Sequence, residues 1–451
     1  MRIKRLVALS LVGVMATGLV GCGGKDSSTG KSGKKSDKLV VWTLAADLET
    51  FADYYKEKTG KEVEVTVIKP EDYPTKVGTA LDGGDKSVDI IVGEPQMLKS
   101  FYDKGYFADL DALGAKDYEG KIVDYVWKVG QSSDGVQRAI SYQITPAGFY
   151  YRRDIAQKVF GTEDPVEIGK LFESYDKILE TAETLKKAGY KIFASDAETS
   201  YFSGDEPWVV DGKLNVSQAR KDYMDLCIKL YQNDYTAFAA QWSAPWLQGM
   251  SGELPMLTAD TMWGTDDMNI WDSEDFAEKT KDFAKTEVFA YGLPAWGVLT
   301  MRDNVKETAG KWGVCAGPAS GFGGGTFIGI SALSQKQKEA WDFIQFCTLN
   351  EETADWWIEK SQGDTVSLIS ALNKHAEDEN ATYGGQKLYK FWLEQAEKID
   401  YSKVTEYDKL IGDAWGTAIG AIKTKEKTKE EALDEFYKQV ASDYPDLVIE
   451  K

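Results

Sequence analysis

Histidine and cysteine are scarce in this chain. His375 is the one histidine among 451 residues, so neither a zinc site built from several histidines nor a nucleophile activated by histidine is expected. The cysteines beyond residue 22 are odd in number, far apart and set in apolar patterns. They are predicted to be buried free thiols and no disulfide framework: Cys227, Cys315 and Cys347. We therefore expect no metal, no cofactor and no catalytic residue.

Basic residues are few relative to acidic ones. Lysine and arginine number 53 against 73 aspartates and glutamates, which gives a formal net charge of -20. Because the nucleic-acid backbone carries the same sign, we expect no nucleic-acid partner. Long apolar runs are also missing at the N-terminus, where residues 6–19 fall short of the ~20 residues that a membrane-spanning helix needs.

The N-terminal residues instead have the pattern of a secretory signal. A basic start precedes the apolar run, and Leu19-Val20-Gly21-Cys22 follows it. This tetrapeptide resembles the lipobox of bacterial lipoproteins, in which the cysteine sulfur takes a diacylglyceryl group and the signal is cut just before it. Residues 1–21 are then a signal peptide, and residues 22–37, rich in Ser, Gly and Lys, a flexible linker. The alternative is an ordinary secretory signal. The expected location is the outer face of the cell membrane, on its extracellular or periplasmic side.

Residues 38–102 have the pattern of a parallel α/β unit. Apolar and alternating segments predict strands over residues 38–44, 62–68 and 88–93, and amphipathic segments predict helices over residues 47–60, 73–81 and 95–105. Ligands of parallel sheets bind beyond the carboxyl ends of the strands. Those ends are residues 43–47 and 93–96.

The remainder is also predicted to be α/β. Helices are expected over residues 175–187 and 217–234, and residues 311–331 predict two strands around a glycine-rich turn. Residues 263–287 are acidic and are expected to be a surface insertion. The last 60 residues are predicted to be helical, with an apolar stripe at Leu410, Ala414, Trp415 and Ala418.

Several segments, taken in order, carry a family resemblance: "KLVVWT", "VDIIVGEP", "FYYRRDIAQKVFG", "AQWSAPWLQGM", "VFAYGLPAWG" and "GFGGGTFIGIS". The mature chain resembles extracellular solute-binding lipoproteins of carbohydrate ABC transporters, in the group related to maltose-binding protein. The resemblance implies a monomeric binding protein, not an enzyme, that serves the permease subunits of a transporter. It also implies two α/β lobes and a hinge crossed more than once. Lobe one would be 38–145 plus 324–366, and lobe two 146–323 plus 367–451.

A sugar site requires flat aromatic rings and hydrogen-bonding side chains, because a pyranose has an apolar C–H face and a rim of hydroxyls. The resemblance implies a stacking role for Trp296, and Trp242 and Trp263 are further candidates. Carboxylates and amides are expected after strands and in the first crossing between lobes. The polar candidates are Asp47, Glu94, Tyr142, Gln143, Thr145, Asp196 and Thr326.

Three functions remain open at this stage. The first is capture of a sugar or short oligosaccharide and its delivery to an ABC permease. The second is the same fold binding a non-sugar solute such as a polyamine or peptide, which the acidic charge would favour. The third is a secreted glycoside hydrolase that uses two carboxylates. The glycine-rich "GFGGGTF" lacks the Lys-Ser/Thr of a P-loop, so ATP hydrolysis would belong to another polypeptide.

Overall fold

The computed structural model describes residues 38–69, 72–203, 206–262, 270–401 and 405–450. The predicted signal peptide, the linker and Cys22 lie outside these residues. The strands of the described part are, in chain order, Leu39–Thr43 (β1), Val63–Val67 (β2), Ile90–Gly93 (β3), Ala139–Ser141 (β4), Ala147–Arg152 (β5), Lys191–Phe193 (β6), Val209–Val210 (β7), Lys213–Leu214 (β8), Leu254–Pro255 (β9), Lys285–Thr286 (β10), Val288–Pro294 (β11), Trp312–Cys315 (β12) and Phe327–Ile330 (β13).

The helices connect and cover these strands. In the described part they are Asp47–Thr59 (α1), Tyr73–Asp82 (α2), Pro95–Tyr102 (α3), Asp124–Val129 (α4), Arg153–Phe160 (α5), Pro165–Lys170 (α6), Tyr175–Lys187 (α7), Gln218–Gln232 (α8), Ala244–Ser251 (α9), Ala259–Met262 (α10), Phe276–Thr280 (α11), Gly297–Asn304 (α12), Gln337–Thr348 (α13), Glu351–Ser361 (α14), Ile369–Lys374 (α15), Leu388–Ala396 (α16), Asp408–Lys423 (α17) and Lys429–Asp443 (α18). None of these helices has both the length and the apolar character required to cross a bilayer.

The first sheet has the order β2-β1-β3-β13-β4. β1 pairs in parallel with β2 and β3, as the short turns and intervening helices predict, because parallel neighbours need a crossover. α1 ends at Gly60, whose φ of +73° is the left-handed conformation that glycine adopts without strain. β13 joins β3 and β4 in antiparallel pairing. The predicted α/β unit over residues 38–102 is confirmed.

The second sheet has the order β12-β5-β11-β6. β5 pairs antiparallel with β11 and β12, and β11 pairs parallel with β6. Every residue of β11 is buried, which agrees with its continuous apolar sequence. The two strands predicted within residues 311–331 are present, and β12 and β13 belong to different sheets. The glycine-rich segment therefore connects the sheets, and the predicted boundary between lobes at residue 324 lies within it.

The C-terminal helices pack on α8 in a separate apolar cluster. The predicted stripe on α17 is partly wrong, because Leu410 is 50% exposed whereas Ile411 and Trp415 are buried. The buried positions follow the spacing i, i+4, i+7, which shifts the stripe one residue along the helix. The prediction of buried free thiols is confirmed for Cys227, Cys315 and Cys347.

The predicted surface insertion is described only from residue 270 onward. In that part Ile270 is buried, and the indole N–H of Trp271 donates a hydrogen bond to the carbonyl of Phe238 at 3.0 Å. This end of the segment is therefore anchored to the fold. The described residues belong to one compact unit, and the boundaries of the two lobes remain a prediction.

We predict that Gly292→Ala in β11 strongly destabilises the fold. A Cβ at this position would lie 1.8 Å from the carbonyl oxygen of Glu198, so the backbone must shift, and the free energy of unfolding should fall by about 3 kcal/mol. Gly420→Ala in α17 is the matched control, because no atom lies within 4 Å of its Cβ position, and it should gain about 0.5 to 1 kcal/mol. Urea unfolding of both variants measures the difference, and equal stabilities would contradict the packing described here.

Candidate functional site

A cavity of about 850 Å³ is lined by residues that follow strands of both sheets, among them Glu94 after β3, Asp196 after β6 and Trp296 after β11. Glu94 and Gln96, which follow β3, contribute to its lining. The 3-10 helix Asp196–Phe202 and the segment before α9 contribute more of it. The cavity therefore includes residues beyond the carboxyl end of β3, where ligands of parallel sheets bind.

Three neighbouring tryptophans, of which two line the cavity and Trp246 lies beneath its surface, are called here the aromatic wall: Trp242, Trp246 and Trp296. Trp242 is 49% exposed, whereas Trp246 is fully buried. The rings of Trp242 and Trp296 are stacked with centroids 5.8 Å apart, and Trp246 lies 4.8 Å from Trp242. The sequence candidates Trp242 and Trp296 thus lie together and both line the cavity.

The backbone and hydrogen bonds hold this wall in a defined position. Trp242 has φ of +69°, a left-handed conformation that is unusual for a bulky residue and that concentrates at binding sites. The indole N–H of Trp296 donates a hydrogen bond to the carbonyl of Gly323 at 3.0 Å. The hydrogen bond restricts rotation of the Trp296 ring, and the stacking contact with Trp296 restrains the ring of Trp242.

Two polar side chains of the lining have no hydrogen-bond partner within the described residues. They are the carboxylate of Glu94 and the buried amide oxygen of Gln96. Burial raises the pKa of Glu94, and the charge of Lys409 opposes this shift. An unpaired buried acceptor such as the Gln96 oxygen is unfavourable, and the carboxylate of the half-buried Glu94 can be reached from the cavity, so both groups are suited to receive hydrogen bonds from a ligand.

Asp196 also lines the cavity, but its carboxylate already has a partner. Both of its oxygens accept from the ammonium of Lys423 at 2.7 Å. Arg220, another lining residue, packs over the ring of Trp208 at 3.7 Å. The cavity lining is therefore mixed in charge rather than uniformly acidic.

Five other polar candidates lie together in a buried network, and none of them lines the cavity. Tyr142 donates to Asp47 at 2.9 Å, Thr326 donates to Gln143 at 3.2 Å, and Thr145 donates through its backbone N–H to Tyr125 at 2.6 Å. The sequence placed Tyr142, Gln143 and Thr145 in the first crossing, Asp47 after β1 and Thr326 in the glycine-rich segment. The side-chain hydrogen bonds described here lie within the protein, and ligand contact by these five residues remains a prediction.

The network contains a carboxyl group that sequence reasoning missed. Asp364 is fully buried, and it accepts hydrogen bonds from the amide of Gln143 and the indole of Trp357. Burial and then the charge of Asp47 raise the pKa of Asp364 to about 7. Its segment, "SQGDTVS", looks like a solvated loop, so no local pattern reveals this residue.

The remaining cavity residues were also missed, for the same reason. Tyr201, Arg220 and Lys423 come from three distant segments and meet only in the folded chain. Trp263, a further sequence candidate, lies outside the described residues. Among those residues, no group of three or more His, Cys, Asp or Glu side chains is arranged to hold a metal ion.

Solved structures with the same fold are binding proteins. An extracellular solute-binding protein of family 1 has a TM-score of 0.71 and 16% identity, over 90% of this chain and 99% of its own. An ABC transporter associated binding protein from B. animalis subsp. lactis, in complex with beta-1,6-galactobiose, has a TM-score of 0.67 and 20% identity, over 92% and 99%. The galacto-N-biose-/lacto-N-biose I-binding protein from Bifidobacterium longum has a TM-score of 0.66 and 14% identity, over 92% and 98%. These likenesses confirm the predicted α/β binding-protein fold.

Similarity at the level of sequence extends to a protein family but to no individual curated protein. Among curated proteins, no sequence matches this chain significantly. A family profile described as bacterial extracellular solute-binding protein matches residues 50–382, which include the second sheet, every strand of the first sheet except β1, and the aromatic wall. The chain therefore belongs to the family of bacterial extracellular solute-binding proteins.

Proposed function

We propose that this solute-binding protein captures a sugar or short oligosaccharide and delivers it to the permease of an ABC importer. The observation that carries the proposal is the exposed indole of Trp242, stacked beside Trp296 in a cavity that also holds the unpaired acceptors of Glu94 and Gln96. The family consists of binding proteins, which agrees with the prediction that the chain is not an enzyme and argues against the glycoside hydrolase.

The aromatic wall suits the apolar face of a sugar ring. A pyranose presents axial C–H groups on one face, and an indole is the largest flat apolar surface that a side chain offers. The hydrogen bond of Trp296 and the contacts of the Trp242 ring with Trp246 and Trp296 restrain both rings before a ligand arrives. Little rotamer entropy is then lost on binding.

The free acceptors suit the hydroxyl rim of the same ligand. A carboxylate and an amide oxygen each accept from hydroxyl donors, and an empty site satisfies them with water. The lining carries more acidic than basic side chains, and its Lys423 is paired with Asp196, so its charge does not argue against a cationic solute. The stacked indoles of Trp242 and Trp296 are what favour a polyhydroxylated ring over the cationic alternative.

Structural neighbours support the same ligand class. Two of them are described as complexes with beta-1,6-galactobiose and lacto-N-biose, and others as complexes with alpha-D-tagatose and acarbose. Their identity to this chain is 20% or lower, so they suggest carbohydrates as the first ligands to test. They do not identify the sugar.

We propose that binding closes two lobes around the ligand. All strands of the first sheet fall within the predicted lobe one, and all strands of the second sheet within lobe two. Residues 142–146 connect β4 to β5, and residues 316–326 connect β12 to β13, so the chain passes between the sheets more than once. Closure requires the ligand to bind the closed state more tightly than the open one.

We also propose that the protein is held at the outer face of the cell membrane by a lipid on Cys22, with residues 22–37 as a flexible linker. The extracellular family supports the location, and the lipobox-like "LVGC" supports the anchor. Two acyl chains or more give stable anchoring, whereas one chain binds only marginally.

Trp242→Ala is predicted to weaken sugar binding by about tenfold or more, because the stacking surface is lost, and Trp296→Ala is expected to act in the same direction. A panel that includes beta-1,6-galactobiose and lacto-N-biose is first screened by thermal shift, and affinities are then measured by calorimetry. Trp356→Ala is the matched control, since Trp356 is half-buried and stacks on Tyr54 at 3.9 Å outside the cavity. It should leave the affinity unchanged.

Two outcomes of this experiment would contradict the proposal. One is the same affinity in the Trp242 and Trp356 variants. The other is a ligand whose affinity collapses when salt is added, which would indicate a charged solute instead of a sugar.

Cys22→Ala is predicted to abolish lipidation. A bacterial host expressing the full chain is given an alkyne-tagged fatty acid, and incorporation into the purified protein is measured. The natural chain should be labelled and the Cys22 variant should not. Cys347→Ala, which removes a buried thiol, should keep the label. Equal labelling of the Cys22 variant and the natural chain would refute the anchor.

A further inference from the structure

A fully buried carboxyl group lies behind the aromatic wall. Glu198 belongs to the 3-10 helix Asp196–Phe202, whose neighbouring residues Asp196 and Tyr201 line the cavity. Glu198 itself is 0% exposed and is not part of the lining. It has no cationic partner among the groups that interact with it. A buried carboxyl group without a cationic partner is destabilising unless hydrogen bonds from the protein satisfy its oxygens.

Both carboxyl oxygens of Glu198 are used, and they connect three separate elements. Oε1 accepts from the indole N–H of Trp246 in α9 at 2.5 Å, and Oε2 accepts from the backbone N–H of Gly292 in β11 at 2.9 Å. Trp242 comes just before α9, and Trp296 comes two residues after the end of β11. One hydrogen bond therefore ends on α9, which follows Trp242, and the other ends on β11, which precedes Trp296.

We propose that Glu198 is a positioning residue for the aromatic wall, holding α9 and β11 so that Trp242 and Trp296 stay stacked at the edge of the cavity. Contact is continuous along this route, because Trp246 lies 4.8 Å from Trp242 and Trp242 lies 5.8 Å from Trp296. An effect of Glu198 on ligand affinity is expected only if the proposed function is right. An effect of Glu198 on the positions of Trp242 and Trp296 is expected in either case.

The surroundings of Glu198 determine how its protonation affects the wall. The titratable groups that face it are Asp196, which is ion-paired with Lys423, and the phenols of Tyr201 and Tyr291, whose pKa values burial raises. Burial, and to a smaller extent the charge of Asp196, raises the pKa of Glu198 to about 8. The carboxyl is thus largely protonated at neutral pH, and it becomes an ionised acceptor for the Trp246 indole above pH 8.

The raised pKa of Glu198 makes the stability of the folded chain depend on pH. The folded chain keeps the Glu198 proton over a range in which the unfolded chain, with an ordinary value of 4.5, has lost it. The contribution to stability therefore falls as pH rises from about 4.5 to about 8 and is constant above that. Glu198→Gln removes the ionisable group, so the free energy of unfolding measured with urea should depend less on pH in this variant.

The proposal is tested on the ligand-free, folded domain with fluorine NMR. Tryptophan is replaced by 5-fluorotryptophan, and Trp242→Phe and Trp246→Phe assign the two signals. In the otherwise natural chain, both signals should shift with pH around a shared midpoint near 8. Glu198→Gln should displace both signals and remove the titration, and Trp246→Phe should displace the Trp242 signal.

Asp364→Asn is the matched control, because Asp364 is equally buried and has a raised pKa but lies in the network outside the cavity. It should leave the Trp242 signal and its titration in place. A Trp242 signal that keeps its position in Trp246→Phe, which removes the indole donor to Glu198, overturns the proposal even if Glu198→Gln fails to fold. Equal responses of the Trp242 signal to Glu198→Gln and to Asp364→Asn would also overturn it.

Affinity for whichever sugar of the panel binds provides a second measurement. Glu198→Gln should lower it about tenfold, because binding sites tolerate only small displacements of their contact groups. If no sugar binds but the NMR signals behave as expected, the positioning role stands and the proposed ligand class fails. If sugars bind and Glu198→Gln changes neither the NMR signals nor the affinity, the positioning role fails alone.

Discussion

The architecture of the site depends on the exposure of one indole ring. Among the described tryptophans only Trp242 is exposed, at 49%, and it is held there by a left-handed backbone. Neither exposure of a large apolar ring nor this conformation favours the folded state. A ligand with a flat apolar surface would cover the ring of Trp242. The apolar area buried on binding would then offset the unfavourable exposure.

Polar groups near the sheet ends are divided into two sets with different tasks. Glu94 and Gln96 keep acceptors unpaired in the cavity, whereas the network around Asp364 consumes its own donors and acceptors. Hydrogen bonds of the network hold Tyr142 and Gln143 at the start of the chain crossing from β4 to β5. Polar groups beside this crossing are thus paired within the protein, whereas acceptors in the cavity are available to a ligand.

Local sequence patterns predicted much of the fold because local forces determine those parts. α7 has the predicted bounds, and the parallel order of β1, β2 and β3 follows from short turns and crossover helices. Local sequence patterns did not predict features that depend on contacts between segments far apart in the chain. The inward turn of Ile411 in place of Leu410 and the burial of Asp364 and Glu198 all depend on residues that are far away in the chain.

The central claim is that the cavity holds a carbohydrate against the aromatic wall, and a crystal structure of the protein with a bound panel sugar tests it most directly. The account predicts a ring whose C–H face lies on Trp242 or Trp296 and whose hydroxyls reach Glu94 or Gln96. A ligand bound elsewhere, or a cation beside the carboxylate with both indoles uncovered, would contradict it.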